Sequence, residues 1–287
     1  MIIAGTGALV YGAAVIGLNE AWYKEFDRRS FHFFNDAGQW ENMDKFGHSF
    51  TTYFESEFCY HGLKWAGLPD KASIWAGAGS GLLLQTTVEF LDAHSSRWGW
   101  SWPDMAYNIL GSALFLSQQL HWSEQRFRLK ISSWPRKYSK QPILSDDGTK
   151  ESSLYQRTND LFGAHLLERY LKDYNAQTIW LSVNPASFSR SSSLPKWLSL
   201  SIGYGADNIY GGTTNSWQEG AARYSLSSQQ YPRKRQWYLS PDIDFTHIPT
   251  SRPWLRSIFS ILNVFKVPAP TIELNSQGNF RWHWLFL

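Results

Sequence analysis

An α+β fold is what this sequence predicts, on three observations. Scarce polar residues recur at helical spacing in the N-terminal part; strand-like segments between Ser, Gly and Pro clusters take over after about Thr178; and the chain closes on a short turn flanked by alternating aromatics. The expected architecture is a small helical bundle of about four helices over 1–121, whose motif region is 44–113, then a basic linker over 122–152. A C-terminal region over 153–287 follows, with one long helix, a few antiparallel β-strands ending in an aromatic hairpin, and an interfacial helix. At 287 residues the chain can bury a core of its own, so no disulfide or metal staple is required.

Taken in order, Ile2 to Leu18 is an apolar run at the short limit for spanning a bilayer, with no Lys or Arg before it. Small residues at Ala4, Ala8 and Gly12, and at Ala13 and Gly17, would let another helix approach, so the run reads as a packed or membrane-inserted helix. Trp22 to Trp40 is a polar, aromatic connector. A first patterned helix runs from Lys45 to Trp65, stopped by Gly67 and Pro69. A second runs from Lys71 to Leu91. Its stretch Ala76-Gly77-Ala78-Gly79-Ser80-Gly81 costs roughly 1 kcal/mol per glycine relative to Ala, so tight neighbours must offset it. A third opens at Ser101 with a capping-box-like Ser-x-x-Asp and ends near Leu120.

His121 to Glu151 carries Pro135 and Pro142 and reads as the linker. A fourth helix is expected from Leu154 to Tyr174, with Leu161, Leu166, Leu167, Tyr170 and Leu171 on its apolar face. Trp197 to Tyr204 and Gln236 to Ile248 are strand candidates, divided by an insert containing Gly211-Gly212. Pro253 to Phe265 places Trp254, Leu255, Ile258, Phe259, Leu262 and Phe265 on one helical face, suited to a membrane or a sheet. The hairpin arms are Thr271 to Leu274 and Phe280 to Leu287 around Asn275-Ser276-Gln277-Gly278. Phe280, Trp282, Trp284 and Phe286 make one side of the last arm aromatic, reminiscent of outer-membrane barrels, although four or five strands are too few to close one.

Aromatics form 17% of the residues, with 16 Trp, which suits a surface at a membrane interface or a sugar-rich envelope. A net charge of only +3 argues against nucleic-acid binding. Arg126, Arg128, Lys130, Arg136, Lys137 and Lys140 form a basic run without an acid, read as a contact for anionic lipid. The single cysteine, Cys59, sits inside a helical pattern, behaves as a small buried hydrophobe and cannot form an intrachain disulfide.

Asp44, His48 and Glu55 share a face of the first helix, Gln85, Glu89 and Asp92 one of the second, and Asp104, Asn108 and Gly111 one of the third. Three polar stripes turned toward one another bring carboxylates and an imidazole together. Such a cluster satisfies a buried polar network, binds a divalent metal through His48 and Glu89, or does acid–base work through Asp44, His48, Glu89 and Asp104. Asp44 and Asp104 also suit helix capping. No His-Glu-x-x-His, P-loop, dinucleotide fingerprint or Gly-x-Ser-x-Gly elbow is present.

At these residues the sequence resembles the YfiM-like family of predicted periplasmic lipoproteins, a domain of unknown function, in its extended Bacteroidetes form. The resemblance rests on Asp44-Lys45-x-x-His48, Glu89-x-x-Asp92 and Gly99-Trp100-Ser101-Trp102-x-Asp104-x-Ala106 with Gly111 after it, which adds Lys45, Trp100 and Trp102 to the candidate residues. The order of acids and histidine is more remotely similar to VanZ-like membrane proteins. It implies a Gram-negative envelope location, at the outer membrane or the periplasmic face of a membrane, and a helical core, but no activity and no cofactor. The lipobox cysteine of such lipoproteins has no counterpart here. The expected role is a non-catalytic, membrane-associated component working through membrane lipid or an outer-membrane or secretion-complex protein. The rival is a metal-dependent or acid–base enzyme acting on an envelope lipid or glycan.

Overall fold

A computed structural model describes residues 27–189 and 193–286, so the apolar run Ile2 to Leu18 and the first part of the connector lie outside the described residues. The chain divides into two compact units. One holds the residues up to Ala37 with Lys45–Gln125; the other holds Gly38–Asp44 with Arg126–Leu287.

The first unit is helical. Its helices α1 (Met43–Trp65, the first two residues of which count with the other unit), α2 (Asp70–Asp92) and α3 (Trp102–Trp122) fall within two residues of the expected bounds. Ser101 caps α3 by accepting the Asp104 N–H at 3.1 Å. The glycines of α2 and α3 have the neighbours their cost demands. A Cβ at Gly77 would strike Tyr60 and Ser56, one at Gly81 would strike Thr52 and Ser56, and one at Gly111 would strike the Ser49 backbone. Close backbone approach therefore offsets the intrinsic helix penalty. Ahead of α1, the chain is stitched to the α2–α3 connection: His32 N–H donates to Ala93 O (3.1 Å), Trp100 N–H to His32 O and Phe34 N–H to Trp100 O (both 2.9 Å).

The second unit is built on a six-stranded antiparallel sheet in the order β1-β4-β5-β8-β9-β10. The strands are β1 (Phe127–Ser133), β4 (Gln177–Val183), β5 (Leu198–Asp207), β8 (Lys234–Ile243), β9 (Ala269–Asn275) and β10 (Phe280–Phe286). Two small hairpins, β2 (Ile143–Leu144) with β3 (Glu151–Ser152) and β6 (Ser216–Glu219) with β7 (Ala222–Ser225), stand apart from it. Three short helices complete the unit: α4 (Leu154–Phe162), α5 (Leu166–Lys172) and α6 (Pro253–Leu262). The expected terminal hairpin is β9–β10, with a register shift between His283 and Phe286.

The sheet curls. Val264 and Lys266 bond to Ile131 of β1 just before β9 begins, while Phe286 of β10 packs on Trp180 of β4 at 6.1 Å. Its two faces are inverted relative to an ordinary soluble sheet. Leu129, Leu181, Ile202, Leu239, Ile272 and Trp282 are cross-strand neighbours in one unbroken outward row over all six strands. The adjacent inward row carries Arg128, Ser182, Ser201, Ser240, Thr271 and His283. Inside, Lys130 is 0% exposed and pairs with Asp242 at 2.9 Å; Ser182 donates to Asp242 at 2.8 Å, and His283 meets Glu273 at 2.7 Å.

Several expectations are corrected here. Residues 122–152, expected as a basic linker, hold β1, β2 and β3. The helix expected over 154–174 is two helices: Gly163, at φ 85°, caps α4, and the Arg169 guanidinium bonds its carbonyl at 3.1 Å. Of the apolar face drawn for it, Leu166 and Leu171 are exposed. The main sheet has six strands rather than four or five, and the strand expected over 236–248 ends at Ile243, where Asp244 caps a turn of 3₁₀-helix.

Candidate functional site

The helical unit's polar stripes do converge, and Lys45 is their centre. Its ammonium lies 2.6 Å from Asp36 Oδ2 and 2.5 Å from Asp104 Oδ1, with the Lys45 side chain 2% exposed. Ser101 ties the carboxylates together. Its hydroxyl donates to Asp36 Oδ1 at 2.6 Å, and its N–H donates to Glu89 Oε2 at 3.2 Å. A lysine taken this far out of water needs such partners to remain charged.

His48 sits one turn after Lys45. Its Nδ1 is 3.1 Å from Asn108 Oδ1, an oxygen that also accepts the Thr52 hydroxyl at 3.0 Å. An amide oxygen only accepts, so this geometry makes Nδ1–H the donor of the bond. Nε2 faces Asp104 Oδ1 at 3.7 Å and Glu89 Oε1 at 3.8 Å, too far for a hydrogen bond. Glu89 is 0% exposed, and its Oε1 has no hydrogen-bond partner among the described residues. Burial pushes the Glu89 carboxyl up to about 8, against the opposing pull of His48.

The stripe continues along α1. Gln85 donates to Glu55 Oε2 at 2.9 Å, and burial lifts the Glu55 carboxyl to about 7. Burial likewise raises the Cys59 thiol, half-buried in mid-helix.

The structure thus brings together Lys45, His48, Glu89, Asp104 and Asn108, and joins Glu55 to Gln85 beside them. Asp44, counted with the sheet unit, accepts the Tyr174 hydroxyl at 2.6 Å. Asp92 ends α2, and its charge acts on Glu89. Trp100 and Trp102 stand edge to face at 5.6 Å; Trp102 is exposed, and the Trp100 Nε1 is buried without a hydrogen bond. Sequence reasoning missed Asp36, which sits outside any periodic segment. Its one signal was the demand of a helix-face lysine among carboxylates for a second counter-charge.

A metal at His48 and Glu89 fits poorly. Asp104, the carboxylate that would complete a three-ligand set, already receives the Lys45 ammonium on the oxygen that faces His48, so a divalent cation would meet that positive charge at close range.

The expected lipid-binding run is corrected. Lys130 is buried with Asp242, Arg128 lies 3.4 Å from Asp244, Arg136 bonds Asp207, and Lys140 lies over the Tyr155 ring at 4.8 Å. Arg126 covers Phe188 at 5.2 Å, which leaves Lys137 as an exposed charge outside such pairings in this run. Alternation along β1 sends its charges inward, so they do not form one basic surface.

With this geometry in view, the comparison with known families is specific. The family model described as Predicted periplasmic lipoprotein (DUF2279) matches residues 32–118. That range spans α1 to α3 and holds Asp36, Lys45, His48, Glu89, Ser101, Asp104 and Asn108. The match is consistent with a place in the Gram-negative cell envelope, and the family has no assigned activity. No curated protein and no solved structure matches the chain.

Proposed function

We propose that this protein is a membrane-associated component of the cell envelope that works by contact with lipid, and that the buried network of the helical unit scaffolds it. The observation that carries this reading is α6, none of whose residues is buried. Phe259 stacks on Phe245 at 6.0 Å and anchors the helix, while Trp254, Ile258, Ile261 and Leu262 stay exposed. Arg252 at its N-cap and Arg256 within it are exposed as well. An amphipathic helix with free Trp and Ile beside Arg suits the boundary between acyl chains and anionic head groups. The family match supports the compartment.

The test is co-sedimentation of the full chain with phosphatidylglycerol-containing vesicles. Ile258→Asp and Ile261→Asp should each weaken binding about tenfold, from ~25 cal/mol per Å² over roughly 50 Å² of lost burial. Far-UV circular dichroism should stay unchanged, because both side chains are already exposed. If the unmodified chain ignores such vesicles, the reading fails.

One observation favours a second reading, an acid–base site: Glu89 Oε1 is buried and faces His48 at 3.8 Å, with no hydrogen-bond partner among the described residues. A Glu89 carboxyl titration that moves in His48→Gln at unchanged melting temperature would support it. A variant that only melts lower would leave the network a scaffold.

A further inference from the structure

We infer that the sheet unit is embedded in the hydrocarbon of a bilayer, with the outward face of β5, β8, β9 and β10 against acyl chains. This rests on the membrane reading above and goes past it, since α6 alone requires only a surface contact.

Inversion of the sheet is the first ground. In water, a sheet with one solvated face buries its apolar side and exposes its polar one. Here the order is reversed on β5, β8 and β9. Leu200, Ile202, Leu239 and Leu274 are exposed, whereas Ser182, Ser201, Ser240, Thr271 and Glu273 are buried with Lys130 and Asp242. A buried serine face and an exposed leucine face lower free energy together only where the outer medium is apolar.

Layering along the strands is the second. Aliphatic residues fill the middle of the outward face, in the row that joins Leu129, Leu181, Ile202, Leu239 and Ile272. Toward the end of the strands marked by Asp207 and Lys234, the outward row becomes Tyr204, Trp237, Leu274 and Phe280 on β5, β8, β9 and β10, while its members on β1 and β4, Ile131 and Ile179, are buried. At that end Tyr204 donates its hydroxyl to the Glu41 carbonyl, and Glu41 holds Arg233 and Arg235, each at 2.8 Å. At the opposite end stand exposed Trp197, before β5, and α6, which follows β8. An aliphatic middle bounded by amphipathic aromatics and then by charge is the profile of a lipid-facing strand surface.

Length is the third. β5 and β8 each have ten residues, about 33 Å at ~3.3 Å per residue, which spans roughly 23 Å along the normal at ~45° tilt. In these two strands that matches the ~25 Å apolar band of outer-membrane strands, and the seven-residue β1, β4, β9 and β10 cover a part of it. The row also continues around a curled sheet, where a single globular partner would cover only part of it.

The test uses the full chain in a Cys59→Ser background with single reporter cysteines, Ile202→Cys in the aliphatic row, Trp237→Cys in the aromatic row and Lys137→Cys as an exposed control. Each is labelled with a fluorophore and the protein is reconstituted in vesicles carrying nitroxides at shallow or deep acyl positions. Deep nitroxides should quench the Ile202→Cys label several-fold more than shallow ones, with the order reversed at Trp237→Cys and little quenching at Lys137→Cys. Vesicle-bound protein whose Ile202→Cys label responds like the control would overturn insertion and leave the surface reading standing. Protein that does not bind vesicles would sink both. An Ile202→Cys label shielded from aqueous iodide before lipid is added, with a cross-linkable dimer or a co-purifying protein, would replace acyl chains by a second copy or a protein partner and overturn the inference.

Discussion

Replacing Lys45 by Met keeps the length and most of the volume of the side chain while removing the charge between Asp36 and Asp104. Both carboxylates would then be left without the cation now at 2.6 and 2.5 Å, in a place where the lysine is 2% exposed. Removing one partner of a buried ion pair costs about 3–5 kcal/mol, much of it the price of stranding the remaining charge. For a cooperative unit of about 100 residues, 1 kcal/mol moves the melting temperature by roughly 4–8 °C, so a fall of about 12–40 °C is expected. Circular dichroism at 222 nm reads it directly, since α1 to α3 supply most of the helix. Adding Asp36→Asn to Lys45→Met should recover part of the loss, with a coupling energy of about 1–3 kcal/mol. A Lys45→Met protein that melts within about 2 °C of the parent would refute the claim that this network holds the helical unit together.

Packing and pH supply two further tests. Gly111→Ala should destabilise by about 1–3 kcal/mol, since its Cβ would meet the Ser49 backbone, whereas Gly79→Ala, with nothing within 4 Å, should stabilise by about 0.5–1 kcal/mol. Denaturation midpoints of the two variants should move in opposite directions, and movement in the same direction would contradict the packing argument. Burial raises Glu89 from an ordinary 4.5 to about 8, and Glu55 to about 7, so the folded chain keeps protons that the unfolded chain has released. Stability should therefore decline as pH rises from about 4.5, with Glu55 contributing up to about 7 and Glu89 up to about 8, by an amount on the order of a few kcal/mol. Denaturant titrations at several pH values should show a shallower decline in Glu89→Gln; an unchanged slope would contradict the assignment.

Much of the helical unit was legible in the sequence, because helical periodicity and the need of glycine for close neighbours are both local signals. Spacing alone places His48, Glu89, Asp104 and Asn108 on facing stripes, the family resemblance adds Lys45, and the structure brings all five together. Asp36 could not be placed, since it enters from a non-repeating segment through a Ser101 hydrogen bond that no spacing encodes. Charge obscured β1. The alternation Phe127-Arg128-Leu129-Lys130-Ile131 is a strand pattern, but Arg and Lys on the inside of a sheet run against the usual assignment of polar residues to the surface. In the sequence Gly163 is masked as a helix stop, because the leucines beyond it continue a helical period and its positive φ is visible only in the structure.

Lipid-facing strands lie at the centre of this account, and methyl-to-lipid nuclear Overhauser effects test them most directly. In nanodiscs holding the full chain with labelled Leu and Ile methyls, the methyls of Leu200, Ile202, Leu239 and Ile272 should show cross-peaks to acyl-chain methylenes and none to water. Cross-peaks from those methyls to water alone, in protein that remains bound to the disc, would contradict the account.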